Sequence, residues 1–475
     1  MTKSIKDSIA FGQIARLIPV VADSKKEERA TSSLLASFMV VPAFASEVLS
    51  DLGAPIGKRS VIECYTEVCF KSEDKAKLSR PDGLIIVSSG SKTWSALVES
   101  KIGNFELRKD QVEEYLDLAK AHGIDAVITI SNQYAITSRH HPIAIAKQKL
   151  KGVEVFHYSW LSLIAKAVLI TDNKKIEDPE QAYILSELIR FYNHESSGVT
   201  QFTRMDSCWK DVCTSVMQKA ALSKSSAEVQ AAVGSWQQLL KYLALDLSMK
   251  IGQPVSVFLS RSKVQDQELG FQEDCAQLVS DHCLTAEFDI PNAASRIVLH
   301  VDIVRRTLNL SMRLDAPKDK SRATASINWF TRQLKGKPNT IDLVIRAHWP
   351  RRRPTTTAAL VDILEKPEKL VPEGVSEIPS SIEVTRVVDL MARFKGAQTF
   401  VEDATKNFSG FYHDVGQHLV AWVAKAPKVK ENVLDTTALP TIMSGANDIV
   451  MLDEGEGIVE PKEQVSSFLG RFMKS

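Results

Sequence analysis

Two apolar segments joined by a short polar turn constrain the fold of this chain more than any other feature. Residues 84–87 and 93–101 flank the run Ser88, Ser89, Gly90 and Ser91, which is typical of a turn between two strands. Arg80, Pro81, Asp82 and Gly83 lead into the first segment, and the second ends in Val98, Glu99, Ser100 and Lys101. The sequence therefore predicts two neighbouring strands that bring acidic and basic side chains to one place.

The positions of these charges suggest a site that binds a metal ion. Side chains alternate along a strand, so Glu99 and Lys101 project from the same face. Asp82, between Pro81 and Gly83, is placed to meet Glu99. Two carboxylates form a hard-oxygen site suited to Mg²⁺ or Mn²⁺. In such a site Lys101 would orient a water molecule or stabilise the charge that develops on a phosphate.

Gln111 and Tyr115 lie further along the chain, in a segment with the periodicity of a helix (105–122) that ends at Gly123. They are four residues apart and so share a helix face. We expect them to hydrogen-bond a substrate phosphate or to hold Lys101 in place.

This set of motifs resembles the PD-(D/E)XK nuclease superfamily, specifically its RecB-like branch with a Gln-x-x-x-Tyr motif, over about residues 25–165. The resemblance implies that Asp82, Glu99 and Lys101 are catalytic, together with Gln111 and Tyr115, and that Mg²⁺ or Mn²⁺ is the cofactor. Families of this kind often add a glutamate from the first helix to the metal site. We expect Glu28 in that role beside Asp82 and Glu99, with Glu47 and Glu67 as alternatives.

A structural alternative is that Glu99 and Lys101 form a solvated ion pair on an edge strand. Gln111 and Tyr115 would then belong to an ordinary exposed helix face. The apolar residues before Glu99 and the wholly apolar segment 125–130 favour a central strand instead. Charges on a central strand need a partner or a metal ion.

The order of elements predicts a mixed α/β fold. Residues 28–52 have helical periodicity broken at Pro42, 60–71 is a strand, and strand 125–130 precedes a helix that begins at Pro142, a strand at 153–156 and a helix at 160–169. We predict a restriction-endonuclease-like mixed sheet flanked by helices in a domain at 1–195. A second α/β (α+β) domain follows at 196–430, and an acidic, flexible tail at 431–475.

The second predicted domain contains a basic region. Residues 296–353 hold fourteen Lys and Arg but only four Asp and Glu, whereas 447–463 holds six acids and one lysine. The basic region is either a surface for the DNA backbone or a surface for the acidic tail or a partner protein. The candidate DNA-binding residues are Arg305, Arg306, Lys318, Lys320, Arg322, Arg332, Lys335, Arg351, Arg352 and Arg353.

The expected function is divalent-metal-dependent hydrolysis of DNA by an endonuclease, and the family resemblance implies a role in restriction or anti-phage defence. The alternatives are a recombination or repair nuclease acting at DNA ends, and a non-catalytic subunit that binds nucleic acid while retaining the nuclease fold. DNA is the expected partner, with other defence subunits or further copies of the chain. No apolar run reaches the length of a membrane span, so we expect a cytoplasmic protein that does not contact a membrane.

Overall fold

A computed structural model describes residues 5–22, 24–71, 79–424 and 426 of the chain. Residues 1–424 belong to one compact unit. The domain boundary that the sequence predicts near residue 195 lies in the segment between the two sheets of this unit. This boundary stays a prediction. The acidic tail predicted at 431–475 lies outside the described residues.

The first part of the unit is built around a mixed β-sheet. Its described elements are α1 (Ile5–Ser8), β1 (Ile9–Ile14), α2 (Lys26–Val40), α3 (Pro42–Leu49), β2 (Val61–Phe70), β3 (Gly83–Ser89), β4 (Lys92–Ser100), α4 (Lys109–His122), β5 (Ala126–Ser131), β6 (Glu154–Ser159), α5 (Trp160–Asp172) and α6 (Pro179–Tyr192). The strands lie in the order β1-β2-β3-β4-β5-β6. Neighbours from β1 to β4 are antiparallel, and β4, β5 and β6 are parallel.

Helices cover both faces of this sheet, because its central strands are apolar on both sides. All of β5 is buried, as is β4 from Trp94 onward. Leu116 and Ala119 of α4 pack on one face. The other face packs against α2, α3, α5 and α6, including Leu34 and Trp160. Strands covered in this way are expected to be continuously apolar, so a charged residue within β4 is exceptional.

The chain before β3 is fixed by backbone contacts with β2. Glu67 has a left-handed backbone conformation, with φ of 55°, and its amide donates to the carbonyl of Asp82 at 3.0 Å. The next amide, that of Val68, donates to the carbonyl of Pro81 at 3.2 Å. Gly83 approaches α2 so closely that an added Cβ would lie 2.5 Å from Cδ1 of Leu35. The position of Asp82 is therefore determined by its neighbours on both sides.

The second part of the unit contains an antiparallel sheet. Its described elements are α7 (Cys208–Met217), α8 (Ala227–Ile251), β7 (Ser256–Val257), α9 (Arg261–Gln265), α10 (Gln267–Asp281), β8 (Cys283–Asp289), β9 (Ile297–Asp302), β10 (Thr307–Asp315), α11 (Ala323–Thr331), β11 (Leu343–His348), β12 (Thr356–Ala359), α12 (Leu360–Glu365), β13 (Ser381–Asp389) and α13 (Ala397–Asp414). The strand order is β12-β11-β13-β10-β9-β8-β7. One face is apolar and packs on helices, whereas alternate residues such as His300 and Asn309 lie on the other, more polar face.

The two sheets share a hydrophobic core. Tyr134, which follows β5, and Leu161 of α5 belong to the same buried cluster as Trp236 and Leu240 of α8. The amide of Tyr134 also donates to Oε1 of Gln238 at 3.1 Å. Helix α8 is therefore the main contact between the two parts of the unit.

The mixed α/β class predicted from the sequence is confirmed, but some individual elements differ. The helix predicted to begin at Pro142 is wrong, because residues 142–152 contain no regular element. His141 is held there by long-range contacts, with Oε1 of Gln267 2.8 Å from its amide and Oγ1 of Thr129 2.8 Å from its ring. Such tertiary contacts override the local preference for a helix. In the second part, the sequence predicts strands at 254–259, 284–290, 296–303, 307–313 and 340–348, which overlap β7 to β11. Strands β1, β12 and β13 were not predicted.

Among the described residues, no single helix is long and apolar enough to cross a membrane. The pair Lys26–Val40 and Pro42–Leu52, bent by 109°, passes by length and composition alone.

Candidate active site

Asp82, Glu99 and Lys101 meet at one end of the β3–β4 pair. Gly83 pairs with Val98, which places Asp82 beside the end of β4. Oδ2 of Asp82 accepts hydrogen bonds from the Ser100 amide at 2.7 Å and from the Ser100 hydroxyl at 3.2 Å. Nζ of Lys101 lies 2.5 Å from Oε1 of Glu99 and donates to the Ser100 carbonyl at 2.9 Å. The structure thus brings together the three side chains that the sequence placed on adjacent strands.

Glu99 is the most deeply buried charged group of the site. The residue is 1% exposed, and its Oε2 atom has no hydrogen-bond partner in the part of the chain that the structure describes. A buried carboxylate oxygen without a donor is unfavourable by roughly 1–3 kcal/mol, and more when it is charged. Such an oxygen is available to a cation that enters the site.

Burial raises the pKa of both acids of the site. Burial, and then the negative charge of Glu99, hold the pKa of Asp82 well above its usual range, against the opposing effect of Lys101. Burial also raises the pKa of Glu99, and again Lys101 opposes it. Burial alone would lower the pKa of Lys101, but Glu99, Asp82 and Glu27 outweigh it and raise that pKa. The site therefore holds an ammonium next to two acids that ionise reluctantly.

A glutamate of the first helix does contact Lys101, and it is Glu27. Its Oε1 atom accepts from Nζ of Lys101 at 3.1 Å. Glu28, the residue expected from the sequence, instead accepts from Lys25 at 2.7 Å. The two alternatives lie elsewhere, since Glu67 pairs with Arg80 at 2.8 Å and Glu47 pairs with Lys166 and Lys175.

The phase of α2 explains why Glu27 faces the site. Glu27 and Thr31 are one helical turn apart. The Thr31 hydroxyl donates to the Glu27 carbonyl at 2.9 Å and lies 2.5 Å from the Ser100 hydroxyl. Thr31 is in line with the buried Leu34, Leu35 and Phe38, which contact the sheet. Glu28 is rotated by about 100° from Glu27 on the helix. Glu28 is in phase with Leu35 and Met39, which are also apolar, so the sequence alone does not separate it from Glu27.

Gln111 and Tyr115 of α4 support the site from the face of the sheet that Glu99 occupies. Nε2 of Gln111 donates to the Tyr115 hydroxyl at 3.1 Å, and that hydroxyl donates to the Arg80 carbonyl at 3.2 Å. Tyr115 is buried, and the charge of Glu99 adds to the effect of burial in raising its pKa. The pair therefore holds the turn that leads into Asp82.

The carboxylates of the site are possible ligands for a divalent cation. Asp82 and Glu99 supply hard carboxylate oxygens, and one oxygen of Glu99 lacks a donor. These groups suit Mg²⁺ or Mn²⁺, which usually take one or two protein carboxylates and complete their shell with water. Among the described residues, however, no group of three or more His, Cys, Asp or Glu side chains is arranged to hold a metal ion. Any ion at this site would therefore rely on two carboxylates and on water.

The chain was compared with known proteins. No protein-family model, curated protein or solved structure matches it. Its function must be inferred from its own residues.

The basic residues predicted to bind DNA do not form one continuous patch. Arg305 and Arg306 lie in the turn before β10, whereas Lys318, Lys320 and Arg322 follow the other end of that strand. The arginines at 351–353 follow β11. The last residue of β11, His348, and the last residue of β10, Asp315, both pair with Ser381 of β13, so these arginines and the residues that follow β10 lie at the same end of the sheet. Arg332 and Lys335 follow α11.

Several of these basic residues already have acidic partners. Arg351 and Arg353 both pair with Glu377, Arg305 pairs with Asp302, and Lys320 pairs with Asp319. Their role in binding DNA stays a prediction. Two other cations, Lys25 and Arg80, are largely exposed and pair with Glu28 and Glu67 close to the candidate active site. They were not among the predicted DNA contacts.

Proposed function

We propose that this protein is a divalent-metal-dependent deoxyribonuclease with a restriction-endonuclease-like core, related to PD-(D/E)XK nucleases. The observation that carries the proposal is the meeting of Asp82, Glu99 and Lys101 at one end of the β3–β4 pair. Placing Glu99 and an ion-paired lysine in a buried central strand is unfavourable for stability unless the site has a function. The antiparallel β3–β4 pair followed by α4 and the parallel strand β5 is consistent with such a core.

Each residue has a role consistent with hydrolysis of a phosphodiester. Asp82 and Glu99 would hold the cation, which polarises the phosphate and acidifies a bound water molecule. Lys101 carries a stable positive charge beside them and is placed to stabilise negative charge on the phosphate. Glu27 positions the Lys101 ammonium from α2, and Tyr115 with Gln111 positions the turn before Asp82.

The proposal includes a role in restriction or anti-phage defence, which rests on the family resemblance alone. Action at DNA ends in recombination or repair is the main alternative. Comparison of a closed circular plasmid with the same plasmid linearised distinguishes these two. An endonuclease cuts both, whereas an end-dependent enzyme degrades only the linear form.

The proposal is tested with purified full-length protein, plasmid DNA and Mg²⁺ or Mn²⁺. We expect cleavage by the wild type and a loss of at least about 100-fold in Lys101→Met, the range seen when one stabilising donor is removed. Lys175→Met is the matched control, because this lysine is exposed and pairs with Glu47 away from Lys101. Equal cleavage by the wild type and Lys101→Met would contradict the proposal.

A further inference from the structure

A cavity with both charged and apolar walls lies between helices from the two parts of the unit. It has a volume of about 220 Å³, and its walls come from α3, α5, β6, α8 and the segment before β7. Leu169, Leu245 and Val255 form an apolar part of the wall, while Lys166 and Lys241 are the lysines that line it. The cavity is smaller than the about 300–1,000 Å³ typical of sites for drug-sized molecules. It therefore suits a small ligand.

Lys241 is the unusual residue of this cavity. It lies in the middle of α8 and has no hydrogen-bond or ion-pair partner among the residues that the structure describes. Lys250, on the same helix, pairs with Asp246 at 2.7 Å. Burial, followed by the charge of Lys166, lowers the pKa of Lys241 to about 8. Lys241 is still mostly protonated at neutral pH, so a positive charge lies in the cavity without a counter-charge.

The other charged groups that face the cavity are already paired. Nζ of Lys166 lies 3.0 Å from Oδ2 of Asp51 and donates to the Glu47 carbonyl at 2.9 Å. The carboxylate of Glu47 is shared between Lys166 and Lys175, at 3.6 and 3.5 Å. Both acids are partly exposed, and their ion pairs are with Lys166 and Lys175 rather than with Lys241.

The remaining titratable groups of the wall are satisfied by protein contacts. The ring of His157 hydrogen-bonds the hydroxyl of Thr129 at 2.9 Å and the carbonyl of Gln133 at 2.9 Å. The hydroxyl of Tyr158 donates to the carbonyl of Val48 at 3.0 Å. Of the charged groups in the wall, Lys241 is the one left for a ligand.

We propose that this cavity binds a small organic anion whose carboxylate or phosphate group pairs with Lys241 and whose apolar body packs on Leu169, Leu245 and Val255. Lys241 is partly buried, a partly buried charge without a partner is unfavourable, and an anion that supplies the missing charge lowers that penalty. The ligand would contact α5 and α8 together and so stabilise the junction of the two parts. This inference does not depend on the proposed nuclease function.

Thermal unfolding of the full-length protein tests the proposal with three probes at constant ionic strength. Inorganic phosphate supplies the charged group alone, adenosine monophosphate adds a planar base, and benzoate offers a carboxylate on an apolar ring. We expect at least one probe to raise the melting temperature of the wild type saturably, as binding to the folded state requires. Lys250→Met should respond like the wild type, and Lys241→Met should not respond.

The pattern among probes identifies the ligand class. A response to phosphate and the nucleotide indicates a phosphate group, whereas a response to benzoate alone indicates a carboxylate. The proposal is overturned if no probe stabilises the wild type, or if each probe stabilises Lys241→Met by the same amount.

A second measurement uses the wild-type residue and does not depend on the folding of a variant. After reductive ¹³C-methylation, the lysine resonances are followed by NMR as a function of pH, and Lys241 is assigned by its absence in Lys241→Arg. A bound anion favours the charged amine, so the probe that stabilises the protein should move the pKa of Lys241 upward. An unchanged titration of Lys241 at saturating concentrations of all three probes would refute the assignment.

Discussion

The Lys101 ammonium lies 2.5 Å from Oε1 of Glu99, and the two residues are neighbours on one face of the chain at the end of β4. In this arrangement the lysine opposes the rise in the pKa of Glu99 that burial causes. A cation that binds Glu99 therefore competes with Lys101 for the same charge. Glu99 can therefore pair either with Lys101 or with a metal ion that enters the site.

This competition predicts opposite effects on binding and catalysis in Lys101→Met. Removal of the ammonium leaves the two acids without their main counter-charge, so at a pH where both are ionised we expect Mn²⁺ to bind several-fold more tightly while DNA cleavage is lost. Mn²⁺ binding is measured by electron paramagnetic resonance of the free ion, with Lys175→Met as the control. Weaker Mn²⁺ binding in Lys101→Met than in the wild type would contradict the proposed competition.

We expect Asp82→Asn to be inactive but more stable than the wild type at neutral pH. The pKa of Asp82 is raised in the folded state, so its contribution to stability is fully present below the unfolded pKa, roughly 3.9, and is lost as pH rises through the folded value. Asparagine keeps an acceptor for the Ser100 amide and never ionises. The free energy of unfolding should rise by about 0.5–2 kcal/mol, the range for substitutions that stabilise a protein at the cost of its activity.

Denaturant unfolding at several pH values measures this effect. The difference between Asp82→Asn and the wild type should be largest near pH 7 and should disappear in acid, where Asp82 is protonated. Asp117→Asn is the control, since this exposed carboxylate pairs with Lys149 on the surface. A less stable Asp82→Asn at pH 7 would show that Asp82 is not held in an unfavourable ionised state.

Much of the fold and site follows from local patterns in the sequence. The β3–β4 pair was predicted because the turn composition and apolar runs are local, and the position of Asp82 beside Glu99 follows from pairing of those strands. In contrast, β13 was missed because Arg386 occupies one of its buried positions, where Asp342 and Asp414 neutralise it. Those partners are distant in sequence, so no local pattern indicates that the arginine can be buried.

The assignment of the first-helix glutamate also depended on tertiary structure. Glu27 and Glu28 are chemically identical neighbours, and the phase of α2 against the sheet decides which of them meets Lys101. We expect Glu27→Gln to reduce cleavage about 10–100-fold, the usual effect of changing a group that orients an active-site residue. Glu28→Gln is the matched control and should change it little. Both effects are measured as kcat/KM on plasmid DNA. A larger loss in Glu28→Gln than in Glu27→Gln would support the role that the sequence predicted for Glu28.

Tyr115→Phe tests whether the helix α4 positions the turn that carries Asp82. The substitution removes the hydroxyl that bridges Gln111 and the Arg80 carbonyl, and we expect a loss of about 1 kcal/mol of stability and a lower kcat. The decrease should be smaller than in Lys101→Met, because Tyr115 acts through the backbone. Tyr183→Phe, at an exposed position, is the control. An unchanged kcat would mean that the hydrogen bond is only structural.

Phe105 is an exposed aromatic residue on a firmly held loop directly after Lys101. Phe105 is 72% exposed, yet its loop is anchored by two hydrogen bonds. The Gly103 amide donates to the Gly198 carbonyl at 2.7 Å, and Nδ2 of Asn132 donates to the Gly103 carbonyl at 3.0 Å. An aromatic ring in this position can stack on a base of bound DNA, an interaction worth about 1–3 kcal/mol per base.

Phe105→Ala should therefore weaken DNA binding and raise KM by a corresponding factor, while kcat changes little because the loop is anchored by its backbone. Phe105→Trp should keep the affinity and report stacking through quenching of its fluorescence by DNA. The effect of Phe105→Ala should be greater on single-stranded DNA, whose bases are accessible, than on a closed duplex. If Phe105→Ala and the wild type bind both substrates equally, measured by fluorescence anisotropy of labelled DNA, the ring has no part in substrate binding and the DNA must approach the Asp82–Glu99 pocket from another side.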